Sequence, residues 1–316
     1  MKADTVSGNI QQVYQDLKNA FPHLIEEQVS LAGHSSFGVG GPADLFARVR
    51  TVEQMCDVVK AAHEAGVPFN VIGAGTNLLV ADKGCRGLVI CNEIMGLEVS
   101  DRRITIGAGE EYMTLVNTAT EAGLTGMEFA AGIWGTVGGA VVGNAGAYGS
   151  EICDVLIEAG IVDRQGVLRV EKTPYFEFKY RDSKLKRTKE IVVSATVELS
   201  PGDRQKISAR VNEILAIRAE KHPRIPNSAG SFFKNILDPA QPYGKLPAGK
   251  LLDEVGAKEL SHGGARVYEK HANILINSGT ATAQDIRELA DILKERTLEK
   301  HGIKLEEEVV SLGDFD

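Results

Sequence analysis

Apolar residues Ile10, Val13, Leu17 and Ala20 recur at three- and four-residue steps before Pro22, so the first twenty residues read as an amphipathic helix. Leu45 to Val49 reads as a strand. Thr51-Val52-Glu53-Gln54 has a capping-box pattern, a hydroxyl followed three residues later by a side chain that can reach back, and predicts a helix continuing to Gly66. Phe69-Asn70-Val71-Ile72 is a strand that runs straight into Gly73-Ala74-Gly75. Glu98–Ser100 and Ile104–Ile106 flank Asp101-Arg102-Arg103 as a hairpin, and Tyr112 to Ala122 reads as a helix. Val155–Val162 and Val167–Val170 bracket Asp163-Arg164-Gln165-Gly166, and Ile191 to Leu199 is a further strand. A helix over Asp203–Lys221 is marked by Ile207, Val211, Ile214, Leu215 and Arg218.

The pattern breaks at His222-Pro223-Arg224-Ile225-Pro226-Asn227-Ser228, a proline-interrupted linker and the expected domain boundary. Beyond it come a strand over Ala272–Asn277 and a long helix from Ala283 to His301. Thr282-Ala283-Gln284-Asp285 supplies that helix with a cap and an acidic first turn. Lys304 to Leu312 is the last expected strand. No repeat of about 20–50 residues is present, which excludes solenoids and propellers.

Composition narrows the reading. A chain of 316 residues has room for two or three domains. Its net charge of −8 argues against non-specific binding to nucleic acid or to an anionic membrane, and no membrane insertion is expected. Cys56, Cys85, Cys91 and Cys153 form no C-x-x-C pair and H-E-x-x-H is absent, so no metal site is expected and free thiols in a reducing compartment are. The first residues lack the basic start and apolar core of a signal peptide, which points to the cytoplasm. The unusual feature is glycine: 34 residues, about 11% of the chain against a usual ~7%, with no Gly-X-Y period.

Two glycine clusters account for the most telling part of that excess. Gly73-Ala74-Gly75-Thr76-Asn77-Leu78 follows a strand directly. Without a Cβ in the way its backbone N–H groups can face a phosphate, although a plain strand-to-loop turn has the same signature. Leu78 stands where the dinucleotide fingerprint needs its third glycine, so a Rossmann NAD site is not expected. The second cluster runs from Gly132 to Gly149 without a charge, and Gly135, Gly139 and Gly143 make the G-x-x-x-G series of transmembrane helices. Seven glycines, few large aliphatics, Asn144 and Tyr148 argue against a membrane span. A buried glycine-rich loop wrapping a flat apolar ring system, such as a flavin, explains the composition better.

Seven motifs in order then carry a resemblance: Ser36–Asp44, Gly73–Leu79, Gly132–Ala140, Asn144–Gly149, Tyr180–Ser183, Ala229–Asn235 and Leu305–Val309. Together they resemble the UDP-N-acetylenolpyruvoylglucosamine reductase (MurB) family. Trp134, Thr76 and Gly143 stand where that family usually has Pro, Ser and Met.

The resemblance implies an α+β fold: a two-subdomain FAD-binding region of the vanillyl-alcohol-oxidase (PCMH) type plus a smaller α/β substrate-binding domain. It divides the chain into FAD-binding subdomains at 1–105 and 106–220, a C-terminal substrate-binding domain at 221–303, and a strand at 304–316 returning to the active site. It implies non-covalent FAD, NADPH as reductant, a UDP-sugar substrate and a monomer. The implied activity is reduction of UDP-N-acetylglucosamine enolpyruvate to UDP-N-acetylmuramate in peptidoglycan precursor synthesis. FAD contacts are implied for Gly73, Ala74, Gly75, Thr76, Asn77, Leu78, Gly132, Gly135, Thr136, Val137, Gly138, Gly139, Asn144 and Ala145.

Hydride delivered to the CH₂ carbon of an enolpyruvyl ether leaves negative charge on the adjacent carbon and its carboxylate, so the site needs a cation and a proton donor. Arg181, Ser231 and Glu308 match the family's three catalytic positions. A guanidinium fork suits a carboxylate and keeps its charge at every accessible pH. On their own these residues read more readily as a surface cation, a turn serine and part of a solvated run, Glu306-Glu307-Glu308, and only the ordered motifs reverse that. Strand alternation puts Glu306 and Glu308 on one face, and only the family register selects Glu308. Lys221, Lys234 and Asn235 are the candidates for the substrate's phosphates and uridine, or are exposed polar residues; Lys270, His271 and Asn273 carry no assigned role. Two other readings stay open: a flavin oxidase or dehydrogenase of the same fold, and a nucleotide-sugar binding module without cofactor.

Overall fold

The computed structural model describes residues 2–223 and 227–315, with side chains from residue 10 onward. In chain order its main elements are α1 (Lys2–Ala20), β1 (Ile25–Ser30), β2 (Pro42–Val49), α2 (Val52–Glu64), β3 (Phe69–Ile72), β4 (Leu78–Val80) and β5 (Cys85–Asn92). There follow β6 (Leu97–Ser100), β7 (Arg103–Gly107), α3 (Tyr112–Glu121), α4 (Val137–Gly143), β8 (Leu156–Val162), β9 (Leu168–Lys172), α5 (Leu185–Thr188), β10 (Ile191–Glu198) and α6 (Arg204–Lys221). The remainder holds α7 (Ala248–Glu254), β11 (Ala265–Tyr268), β12 (His271–Asn277), α8 (Ala283–His301) and β13 (Val310–Leu312). These group into two compact units. The first comprises 1–29, 43–73 and 86–208, and the second comprises 30–42, 74–85 and 209–316.

The first unit is built on two sheets, one in the order β1-β2-β5-β3 and an antiparallel one in the order β9-β8-β10-β7-β6. β3 runs parallel to β5, the chain crossing between them through the glycine-rich loop and β4. Met55, Val58, Val59 and Ala62 recur at helical spacing on α2 and are fully buried with Leu45, Leu88 and Ile90. Each such large aliphatic side chain contributes about 1.5–3 kcal/mol on burial. The Thr51 hydroxyl caps α2 by accepting from Gln54 N at 3.2 Å, whereas the Gln54 amide accepts from Arg50 N at 2.9 Å, one residue earlier than the box pattern predicts. The 97–107 hairpin forms with a two-residue turn, and Arg103 joins the strand instead of the turn.

The glycine-rich stretch departs from expectation: its middle is not loop but the seven-residue helix α4, opened by Thr136 and closed by Asn144 in the left-handed conformation (φ 45°). Seven residues fall far short of the ~20 a bilayer requires. No helix among the described residues is long and apolar enough to cross a membrane.

In the second unit β12 is the buried edge of a three-stranded antiparallel sheet, and α7 and α8 pack with it around Phe37, Leu79, Phe232, Phe233 and Leu289. The cap on α8 is reciprocal: Thr282 Oγ1 accepts from Asp285 N at 3.0 Å and Asp285 returns the bond to Thr282 N at 2.9 Å. Asp82, two hundred residues earlier, adds a second cap by accepting from Ala283 N and Gln284 N at 2.9 and 3.0 Å. The expected strand over 304–312 is shorter. Only 310–312 is strand, parallel to β4, and the chain before it is irregular. The linker expected at 222–228 lies partly outside the described residues.

Candidate active site

Arg181 lies in the first unit, on a tight turn closed by Lys179 and Asp182, whose backbone groups exchange two 3.0 Å hydrogen bonds. Its φ of +53° makes Arg181 the left-handed corner, a position where glycine is unstrained and an L-residue is not. The guanidinium lies 5.5 Å from the Tyr180 ring centroid, and Lys186 Nζ donates to the Arg181 carbonyl at 2.6 Å. Tyr112, buried at the start of α3, faces the same charge. Burial pushes its hydroxyl pKa up while Arg181 pulls it down, and the hydroxyl makes no hydrogen bond within the described residues.

Gly73, which opens the first glycine cluster, touches the second cluster within this unit. An added Cβ on Gly73 would stand 2.3 Å from Thr136 Oγ1, the hydroxyl that caps α4 by accepting from Gly139 N at 3.3 Å. Glycine is therefore what lets the end of β3 and the start of α4 touch. Backbone without side chains, with Gly132 and Gly135 at positive φ and Gly139 exposed, suits close approach by the flat body of a flavin. Gly138 and Val137 are buried, and a Cβ on Gly138 would press on Ala108 at 3.1 Å. Asn144 is fully buried; its amide nitrogen donates to Glu151 Oε2 (2.6 Å) and Lys179 O (3.0 Å), and its oxygen accepts from Cys153 N (3.3 Å). The side chain read as a cofactor contact thus holds protein. Ala145, next to it, is half-buried.

Ser231 and Glu308 lie in the second unit, and the structure brings them together. The segment 231–234 is stitched on one side to Ile274 and Asn273 and on the other to 306–308: Glu308 N donates to Phe232 O and Lys234 N to Glu306 O, both at 2.8 Å. Because this stretch is not regular strand, the three glutamates sort differently from simple alternation. Glu306 stays in solvent beside Lys234 (3.3 Å), and Glu307 turns inward to Arg287 (3.1 Å) and Lys294. Glu308 is half-buried, its carbonyl accepting from Asn77 Nδ2 at 3.0 Å. Gly75 is buried at φ +65°, Ala74 is exposed, and Thr76 and Leu78 are half-buried.

Among the residues proposed for substrate, Lys221 is exposed at the end of α6, Lys234 is ion-paired, and Asn235 Oδ1 accepts from Ala248 N at 3.1 Å at the start of α7. Asn273 acquires a role that spacing did not reveal: buried, it both accepts from Phe233 N (2.9 Å) and donates to Phe233 O (2.8 Å), fixing the segment that carries Ser231. The bonds of Ser183 to Val142 and of Asp82 to Ala283 and Gln284 likewise have no local signature, because the partners are distant in sequence. The described residues hold no group of His, Cys, Asp and Glu side chains suited to a metal.

A family model described as "UDP-N-acetylenolpyruvoylglucosamine reductase, C-terminal domain" matches residues 220–312, and one described as "FAD binding domain" matches 43–171. A UDP-N-acetylenolpyruvoylglucosamine reductase of Heliobacterium modesticaldum is 40% identical over 290 residues, covering 91% of this chain and 90% of its own length. One of Clostridioides difficile is 38% identical, covering 97% and 99%. The chain belongs to the UDP-N-acetylenolpyruvoylglucosamine reductase family. The crystal structure of the MurB enzyme from Thermus caldophilus superposes with a TM-score of 0.75 at 33% identity, over 90% of this chain and 98% of that one. As a MurB reductase the protein is a flavoprotein oxidoreductase, a UDP-N-acetylmuramate dehydrogenase that uses FAD and NADPH and acts in peptidoglycan precursor synthesis. Membership sets aside both other readings, the alcohol-oxidising flavoenzyme and the cofactor-less binding module.

Proposed function

We propose that Arg181, Ser231 and Glu308 carry the reduction. Hydride transfer is the chemistry that FAD, recharged by NADPH, supplies when bound. Arg181 grips the substrate carboxylate with its two-pronged fork, where negative charge accumulates once the CH₂ carbon has accepted hydride. The Ser231 hydroxyl gives its proton to the adjacent carbon, completing the lactyl ether. A basic carbanion takes a proton from an ordinary alcohol, so no lowered hydroxyl pKa is needed. Glu308 polarises the substrate acid. The observation that carries this reading is the backbone of Arg181: an L-residue kept at a strained corner that suits glycine is what a required side chain would explain.

The residues read as FAD contacts, with Asn144 excepted for the reason above, supply the bare backbone for the cofactor; Lys221, Lys234 and Asn235 remain our candidates for the uridine diphosphate. The four-part division at residues 105, 220 and 303 is also our reading. Four cysteines without a disulfide support a reducing, cytoplasmic setting, and we read the enzyme as a monomer, which sedimentation would check.

Ser231→Ala tests the assignment. Under anaerobic conditions NADPH should still bleach the flavin at the normal rate. Return of the oxidised spectrum on adding the enolpyruvyl substrate should slow by roughly 10²–10⁴-fold, the usual weight of a general acid. Normal reoxidation would remove Ser231 from the proton-donor role.

A further inference from the structure

We propose that Ser183 and Asn144 are positioning residues for Arg181, tying both ends of its strained turn to the end of α4. This rests on the reading of Arg181 given above. Ser183 is fully buried and donates from Oγ to Val142 O at 2.7 Å. Asn144, the left-handed residue closing α4, donates to Lys179 O at 3.0 Å. Lys179 and Ser183 flank Tyr180-Arg181-Asp182, so the turn is anchored on each side, two residues apart on the same helix end. Lys186 adds a third tie, to the Arg181 carbonyl itself.

The physical need is specific. A left-handed L-residue costs roughly 1–2 kcal/mol and persists only where its surroundings over-determine it. Without the ties, Arg181 relaxes to negative φ, and its long side chain converts that rotation into a displacement of the guanidinium. The last carbonyls of a helix lack partners within it, so Val142 O is a ready acceptor. The arrangement makes the glycine-rich segment and the arginine a single mechanical piece.

The test compares the two half-reactions by stopped-flow flavin absorbance. A displacement of about 1 Å at such a site costs on the order of 10²-fold. Ser183→Ala should therefore slow reoxidation by the enolpyruvyl substrate roughly 10- to 100-fold, with flavin reduction by NADPH and FAD affinity, titrated by fluorescence, within about twofold of wild type. Added to Arg181→Ala, Ser183→Ala should slow reoxidation no further, because a residue acting only through another has nothing left to position. Lys186→Met removes the donor to the Arg181 carbonyl from a half-buried surface side chain, so it carries the same comparisons should Ser183→Ala fail to fold; it should show the same selectivity at smaller size. Equal slowing of both half-reactions, or an undiminished effect of Ser183→Ala on top of Arg181→Ala, would overturn the proposal in favour of a merely structural hydrogen bond. Wild-type reoxidation by Arg181→Ala alone would instead overturn the reading of Arg181, and this proposal with it.

Discussion

Replacing Gly75 by alanine adds one methyl group to space that protein already fills. An added Cβ would lie 1.9 Å from His34 O, 2.8 Å from His34 C and 3.1 Å from Ser35 Cα, all backbone atoms that cannot swing aside as a side-chain tip would. Relieving the clash requires displacing the 34–36 segment, including the hydrogen bond from Ser36 N to Gly75 O (3.1 Å). Overpacking of this kind costs about 1–3 kcal/mol. The φ of +65° adds roughly 1–2 kcal/mol for an L-residue. The stiffer unfolded chain returns about 0.4–1 kcal/mol. A net loss of about 3 kcal/mol follows, and at roughly 2–4 °C per kcal/mol the melting temperature should drop by roughly 6–12 °C. The assay is thermal unfolding followed by circular dichroism on flavin-free protein, since a glycine needed only for a phosphate would leave that form intact. Gly143→Ala is the control: no atom lies within 4 Å of its added Cβ, and it should be neutral or stabilising by up to about 1 kcal/mol. Flavin-free Gly75→Ala melting within about 2 °C of wild type would refute the reasoning, as would an equal loss in Gly143→Ala.

Two further predictions concern the second unit. Asp82→Ala should cost about 1–2 kcal/mol in chemical denaturation, because Ala283 N and Gln284 N lose their acceptor at the positive end of α8; an unchanged midpoint would show the cap to be inert. His222 is pushed down to about 4, by burial first and then by the positive charges of Arg218, His271 and Lys221. The unfolded imidazole titrates near ~6.5. Its folded value lies lower, so its contribution is full above the unfolded value and is lost as pH falls from there towards the folded one. His271, also lowered chiefly by burial, acts in the same direction. Wild type should therefore lose more stability between neutral pH and pH 5 than His222→Gln does. Equal losses would mean that the folded state does not hold His222 neutral.

The periodic elements were legible because each is dictated locally. α2 and α8 carry apolar residues at helical spacing with a hydroxyl cap in front, and β12 is a short apolar run, so neighbouring residues suffice to specify them. The ordered motifs likewise named the family. Where local signals compete, reading failed: glycine's poor helix propensity hid α4, which its Thr136 and Asn144 caps and its packing against Ala108 impose. Alternation could not sort Glu306, Glu307 and Glu308, because Arg287 and Lys294 on α8 draw Glu307 inward and the backbone there is not strand.

The sequence by itself thus determined the kind of protein, those helices and strands whose periodicity is local, and the residue types its chemistry needs. Tertiary structure alone decided what the glycines and asparagines do. Gly73 and Gly75 admit Thr136 and the His34 carbonyl, and Asn144, Asn273 and Asn77 hold the backbone beside Arg181, Ser231 and Glu308. The reason is that a missing Cβ or a side-chain amide has no intrinsic partner. Its role is set by which backbone atom, tens or hundreds of residues away, folding brings within about 3 Å.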